Sequence, residues 1–177
     1  MKRILASLLS FALCLALLLF VRSEPDEPLL HVALKSSGEQ DAAYVYETVY
    51  ANGKSRACDA FTPDACVFYT ADYADFDTSA LRSHRVNTLV ATTLYDSVGN
   101  VVEPDETMIA MMHAAADQID HAILDFQIIV VNGQRYFAFV KLNVNWWDPC
   151  TLYEYEGGEL RELAQWDNMR LLSVGLI

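Results

Sequence analysis

The stretch Phe126 to Trp147, FQIIVVNGQRYFAFVKLNVNWW, constrains the fold more than any other part of the chain. Asn132-Gly133 stands between two runs of β-branched and aromatic residues, the strongest short-range hairpin signal a sequence offers. A two-residue turn there sets Phe126 opposite Phe139, Ile128 opposite Phe137 and Ile129 opposite Tyr136. Each such cross-strand pair contributes about 0.2–1 kcal/mol. Near the turn both faces of the ribbon are apolar, with Phe126, Ile128, Phe137 and Phe139 alternating with Ile129, Val131, Tyr136 and Val140. A ribbon apolar on both faces belongs inside a sheet that is covered above and below.

Short strands surround it. Leu29 to Leu34 reads as the first, and Ala43 to Tyr50 as the second. In the latter, Tyr44, Tyr46, Thr48 and Tyr50 alternate with Val45, Glu47 and Val49. Asn52-Gly53 then turns the chain into Ser55 to Phe61. Thr62-Pro63-Asp64 breaks that run, and Cys66 to Thr70 resumes it. Val86 to Tyr95 is extended. After the hairpin come Thr151 to Tyr155, a Glu156-Gly157-Gly158 turn, Leu160 to Trp166, and Met169 to Leu176, which read as a meander. The stretch Leu152 to Asp167, LYEYEGGELRELAQWD, resembles the strand-turn-strand units of exported bacterial propellers and lipoproteins, a likeness that carries no function with it.

Pro104-Asp105-Glu106 opens one helix, Asp105 to about Ile123, with acidic side chains at its positive end. Met108, Ile109, Met112, Ala116, Ile119 and Ile123 recur at helical spacing as a stripe for burial. The expected fold class is therefore α+β: an antiparallel, twisted sheet of hairpins and meander with one amphipathic helix across a face. One helix covers only one face of the central hairpin, so the N-terminal strands are expected to cover the other.

The first residues follow another logic. Met1-Lys2-Arg3 precedes Ile4 to Val21, 18 residues without a charge, and a polar, proline-bearing EPDEP follows. That is the anatomy of an export signal. As a helix the run would reach about 27 Å, just enough to span a bilayer. The reading is a signal peptide over 1–23 (or an anchor formed by 4–21), a linker over 24–28, and a single α+β domain over 29–177. The protein is thus expected outside the cytoplasm, secreted or tethered, touching a membrane only through its N-terminal segment if that is uncleaved.

Loss of Lys2, Arg3 and Arg22 with the signal would leave 9 basic against 24 acidic residues, a formal charge of −15. Such a field favours solubility and repels nucleic acid and anionic lipid. Cys58, Cys66 and Cys150 would remain after export. An odd number permits at most one internal bridge, Cys58–Cys66, or else three free thiols.

Two constellations carry chemistry. His113, Asp117 and His121 lie at i, i+4 and i+8 of the helix with Asp120 beside them, a face that could hold a divalent metal. Asn143, Asn145, Trp146, Trp147 and Asp148 combine amides, indoles and a carboxylate, as carbohydrate or peptide grooves do. Asp72, Asp75 and Asp77 lack the spacing and glycine of a calcium loop. No nucleophile elbow and no glycine-rich phosphate loop occurs. The function expected is a non-enzymatic binding module for a protein or glycan partner, with no cofactor. The alternative is an extracytoplasmic hydrolase or metal-dependent enzyme using His113, Asp117 and His121.

Overall fold

A computed structural model of the protein describes residues 27–36, 43–71, 93–121, 123–142 and 149–177. The segment read as an export signal, the acidic run 72–77, His84, most of the stretch read as a strand over 86–95, and all of 143–148 fall outside them. The described strands are β1 (Pro28–Ser36), β2 (Tyr44–Tyr50), β3 (Ser55–Ala57), β4 (Cys66–Ala71), β5 (Thr93–Tyr95) and β6 (Val101–Val102). Helix α1 (Glu106–Gln118) follows, then β7 (Ile123–Val131), β8 (Arg135–Leu142), β9 (Pro149–Glu156), β10 (Glu159–Asp167) and β11 (Met169–Gly175). The protein is mostly antiparallel sheet with one helix among the described residues, an α+β arrangement.

The strands form two sheets. One has four strands in the order β11-β1-β2-β3, the other seven in the order β10-β9-β8-β7-β4-β5-β6. The central hairpin lies inside the larger sheet, and two cores form on its two faces. Ile129, Val131, Phe137, Phe139 and Leu152 meet Leu30, Val32, Leu34, Val49 and Val174 of the smaller sheet. On the opposite face Ile123, Phe126, Ile128, Ala138 and Val140 meet Met108, Met111, Met112 and Ala115 of α1. The smaller sheet covers what the helix cannot, though it draws on the last strand as well as the first ones.

The hairpin register differs from expectation. Phe126 pairs with Val140, Ile128 with Ala138 and Ile129 with Phe137. Val131 pairs with Arg135, so the loop holds three residues, Asn132, Gly133 and Gln134, rather than two. Asn132 and Gly133 both take positive φ, at 52° and 66°, and Gln134 N–H donates to the Val131 carbonyl at 3.1 Å. The extra residue changes the parity of the second strand, which moves every side chain of β8 to the other face relative to β7. Phe126 and Ile128 therefore share the helix face with Ala138 and Val140, while Phe137 and Phe139 join Ile129 and Val131 between the sheets.

The helix is shorter than its periodicity implied. Asp105 caps it, accepting from Met108 N–H at 2.7 Å and from the Tyr136 hydroxyl at 2.9 Å, which ties the helix start to β8. At the far end the Gln118 amide grips the β9–β10 turn: Leu160 N–H donates to Oε1 at 2.9 Å and Nε2 donates to the Gly158 carbonyl at 3.3 Å. Ile119 is already extended, and Ile123 belongs to β7. Met111 and Ala115 occupy the buried side, whereas Ile109 is 41% exposed.

The last strands do not continue a meander. Only Asn168, at φ 52°, separates β10 from β11, and there the chain leaves the larger sheet to pair with β1 in the smaller one.

Candidate functional site

The layer between the sheets is apolar in the middle and polar at both ends. Along β7 the residues facing it run Asp125, Gln127, Ile129, Val131, and along β8 they run Lys141, Phe139, Phe137, Arg135. The ladder sets Asp125 beside Lys141 and Gln127 beside both Phe139 and Tyr69. Inward-facing charges at strand ends need partners or water, because a bare buried charge is costly.

One end supplies the partners internally. Glu154 of β9 is 7% exposed, and its two carboxylate oxygens accept from Arg135 and Arg161. Arg161 also donates to the Ala51 carbonyl at 2.8 Å, joining the larger sheet to the β2–β3 turn. Burial pushes the Glu154 carboxyl up, but the two guanidiniums more than reverse this and hold it below the usual range.

The other end is open. A cavity of about 470 Å³ enters between β4, β7, β8 and the start of β11, within the size range of small-molecule sites. Its apolar lining comes from Phe139, Met169, Leu171 and Leu124. Phe139 is backed by Trp166, stacked on it at 6.0 Å between ring centroids. The polar lining comes from Tyr69, Asp125, Gln127, Lys141 and Arg170. Burial raises the Asp125 carboxyl, and the lowering influence of Lys141 and Arg170 does not cancel it. Burial, then the Asp125 charge, raises the Tyr69 phenol, which therefore stays a hydroxyl donor.

Gln127 is the exceptional group. It is 4% exposed, lines the cavity, and its side-chain amide has no hydrogen-bond partner among the described residues. Leaving such an amide unsatisfied costs about 1–3 kcal/mol, so a group retained there calls for a reason beyond packing.

The residues singled out from sequence lie elsewhere. His113, Asp117, Asp120 and His121 are all exposed, none lines the cavity, and among the described residues no three His, Cys, Asp or Glu converge on a metal position. Asn143, Asn145, Trp146, Trp147 and Asp148 lie outside the described residues. Cys58, Cys66 and Cys150 are unbridged in the structure, one of the two states that the odd count allows, a Cys58–Cys66 bridge being the other. The two ends of that bridge serve different sheets: Cys66 opens β4 opposite Val130, whereas Cys58, just past β3, has its N–H on the Tyr46 carbonyl. The Cys58 thiol lies 3.6 Å from His31 Nδ1, and the Thr48 hydroxyl 3.0 Å from the same nitrogen. Cys150 is buried and donates to the Met169 carbonyl at 2.7 Å.

Sequence reasoning missed the cavity. The available signal was the period-two series Asp125, Gln127, Ile129, Val131, in which two polar residues continue a core-facing row. Comparison with family models, with curated proteins and with solved structures gives no match.

Proposed function

We propose that this chain is an exported, acidic binding module that takes a glycan in the cavity between its sheets. The carrying observation is the Gln127 amide, buried, without a partner among the described residues and facing that cavity. A carboxamide offers two donors and an acceptor, the pattern that neighbouring sugar hydroxyls meet. Phe139, Met169 and Leu171 give the apolar floor against which the C–H face of a sugar ring packs. A concave site of this size suits a saccharide better than the flat, extended face used for a folded protein. In this reading the export segment delivers the domain, and α1 is an amphipathic brace with Met and Ala turned into the sheet.

Calorimetric titration of the purified domain with soluble oligosaccharides tests the reading, using wild type beside Gln127→Met. Saturable heat in the wild type that disappears in the variant is expected. Equal binding by both proteins would detach function from the cavity and refute the proposal.

A further inference from the structure

We infer that Cys58, beside His31 on the outer face of the smaller sheet, is a reactive thiol at which the chain exchanges with a small disulfide. The three thiols among the described residues have different surroundings. Cys150 is buried and spends its S–H on the Met169 carbonyl at 2.7 Å. Cys66 is exposed, but no base lies within hydrogen-bond reach of its thiol among the described residues. Of the three, Cys58 combines access with a base: it is half-buried, and its sulfur lies 3.6 Å from His31 Nδ1.

The imidazole is fixed independently of the thiol. In the ladder His31 of β1 stands between Thr48 of β2 and Gly175 of β11. The buried Thr48 hydroxyl lies 3.0 Å from Nδ1, and Phe61 stacks on the ring at 5.3 Å between centroids. Phe61 is itself seated, edge-on to Tyr46 at 6.0 Å and over Gly175, where a Cβ would stand 2.5 Å from it. Gly175 is not among the glycines at positive φ, so what its missing side chain provides is room for the ring that positions His31. A nucleophile within hydrogen-bond reach of a base that a third group orients is the arrangement that activates a thiol. The Cys58 thiol gives its proton to Nδ1, the thiolate attacks one sulfur of the disulfide, and the S–S bond breaks. The departing thiolate takes that proton from Nδ1, so the products are a mixed disulfide on Cys58 and one free small thiol. Thr48 suits both states of the ring, because a hydroxyl donates to a bare nitrogen and accepts from an N–H.

The test exposes the fully reduced protein briefly to 2-hydroxyethyl disulfide, an uncharged reagent, quenches with acid and maps the adducts by peptide mass spectrometry. Cys58 should form its mixed disulfide roughly tenfold or more faster than Cys66 despite being the less exposed, a modest share of the about 10²–10⁴-fold that positioned acid–base groups supply in enzymes. His31→Gln should bring the Cys58 rate down to that of Cys66 or below and leave the Cys66 rate unchanged. Continued protection of Cys150 reports that the variant is folded; where it is not, His31→Phe, which keeps a ring against Phe61, gives the same comparison. Reaction of Cys66 as fast as Cys58 in the wild type would overturn the inference, and so would a Cys58 rate unchanged by loss of His31. A Cys58–Cys66 bridge as the product would overturn it if the Cys66→Ser variant then gains no adduct at Cys58.

Discussion

Replacing Gln127 with methionine should make the protein more stable, and the size of the effect follows from the site. The two side chains have similar length and volume, so the exchange creates neither a cavity nor an overpacked core, and such swaps typically cost under about 1.5 kcal/mol. Both lose comparable rotamer freedom on burial. What changes is the amide, which is 96% buried (4% exposed) and has no partner among the described residues. An unsatisfied group of this kind costs about 1–3 kcal/mol. The cavity admits water, which meets part of the demand, so the expected gain is towards the lower end, about 1 kcal/mol. For a domain of this length that raises Tm by about 2–4 °C. Urea denaturation read by tryptophan fluorescence measures it, as a higher midpoint at unchanged m-value. Gln127→Ala serves as the packing control and should be destabilising, because it opens a void beside Phe139. If Gln127→Met is instead less stable than wild type, the amide is already satisfied in the ligand-free fold. The argument for a binding site would then lose its basis.

Glu154→Ala should cost about 2–3 kcal/mol in urea titration, less than a wholly buried pair, because Arg135 and Arg161 are 43% and 51% exposed and rehydrate. The folded-state Glu154 pKa is lowered, so its contribution is present above the unfolded value and lost as pH falls through the folded one. The difference between wild type and variant should therefore shrink in acid. Asp125 has the opposite sign: its raised folded pKa penalises the native state once pH exceeds the unfolded value. Asp125→Asn should thus gain more stability at neutral pH than in acid, as read by Tm across a pH series. Met111→Ala should cost about 2–5 kcal/mol, while Ile109→Ala and the His113/His121 double alanine variant should stay within about 0.5 kcal/mol. Gly175→Ala should lower Tm, because a Cβ there would sit 2.5 Å from the Phe61 ring, which stacks on His31.

Much of this architecture is written locally, and the rest is not. Asn132-Gly133 announced a turn because few residues tolerate positive φ, but nothing near it distinguishes a loop of two residues from one of three. Gln134 decides the matter, and with it the face on which Phe137 and Phe139 lie. The helix start was legible from Asp105. Its end was not, because Ile119 and Ile123 continue the apolar spacing and neither glycine nor a basic residue marks the stop. The cavity was hidden for a compound reason. Asp125 and Gln127 share a face with Ile129 and Val131 in any register, but Phe139 and Lys141 join them only in the true one, and Arg170 only because β11 changes sheets, a long-range pairing without a local sign.

That change of sheets at Asn168 also bears on when the protein can fold. His31 of β1 pairs with Gly175 of β11, so the smaller sheet is closed by strands from opposite ends of the described chain. Until β11 emerges, β1 has β2 on one side and an open row of N–H and C=O groups on the other. Contacts so distant in sequence form late and slowly, after their loop-closure entropy has been met. A nascent chain is therefore held unfinished until its last strand is available. The exposed flank of β1 is meanwhile a template for pairing with other chains. Removing the nine residues 169–177 should turn this transient hazard into a permanent one, with aggregates seeded at Leu30 to Leu34.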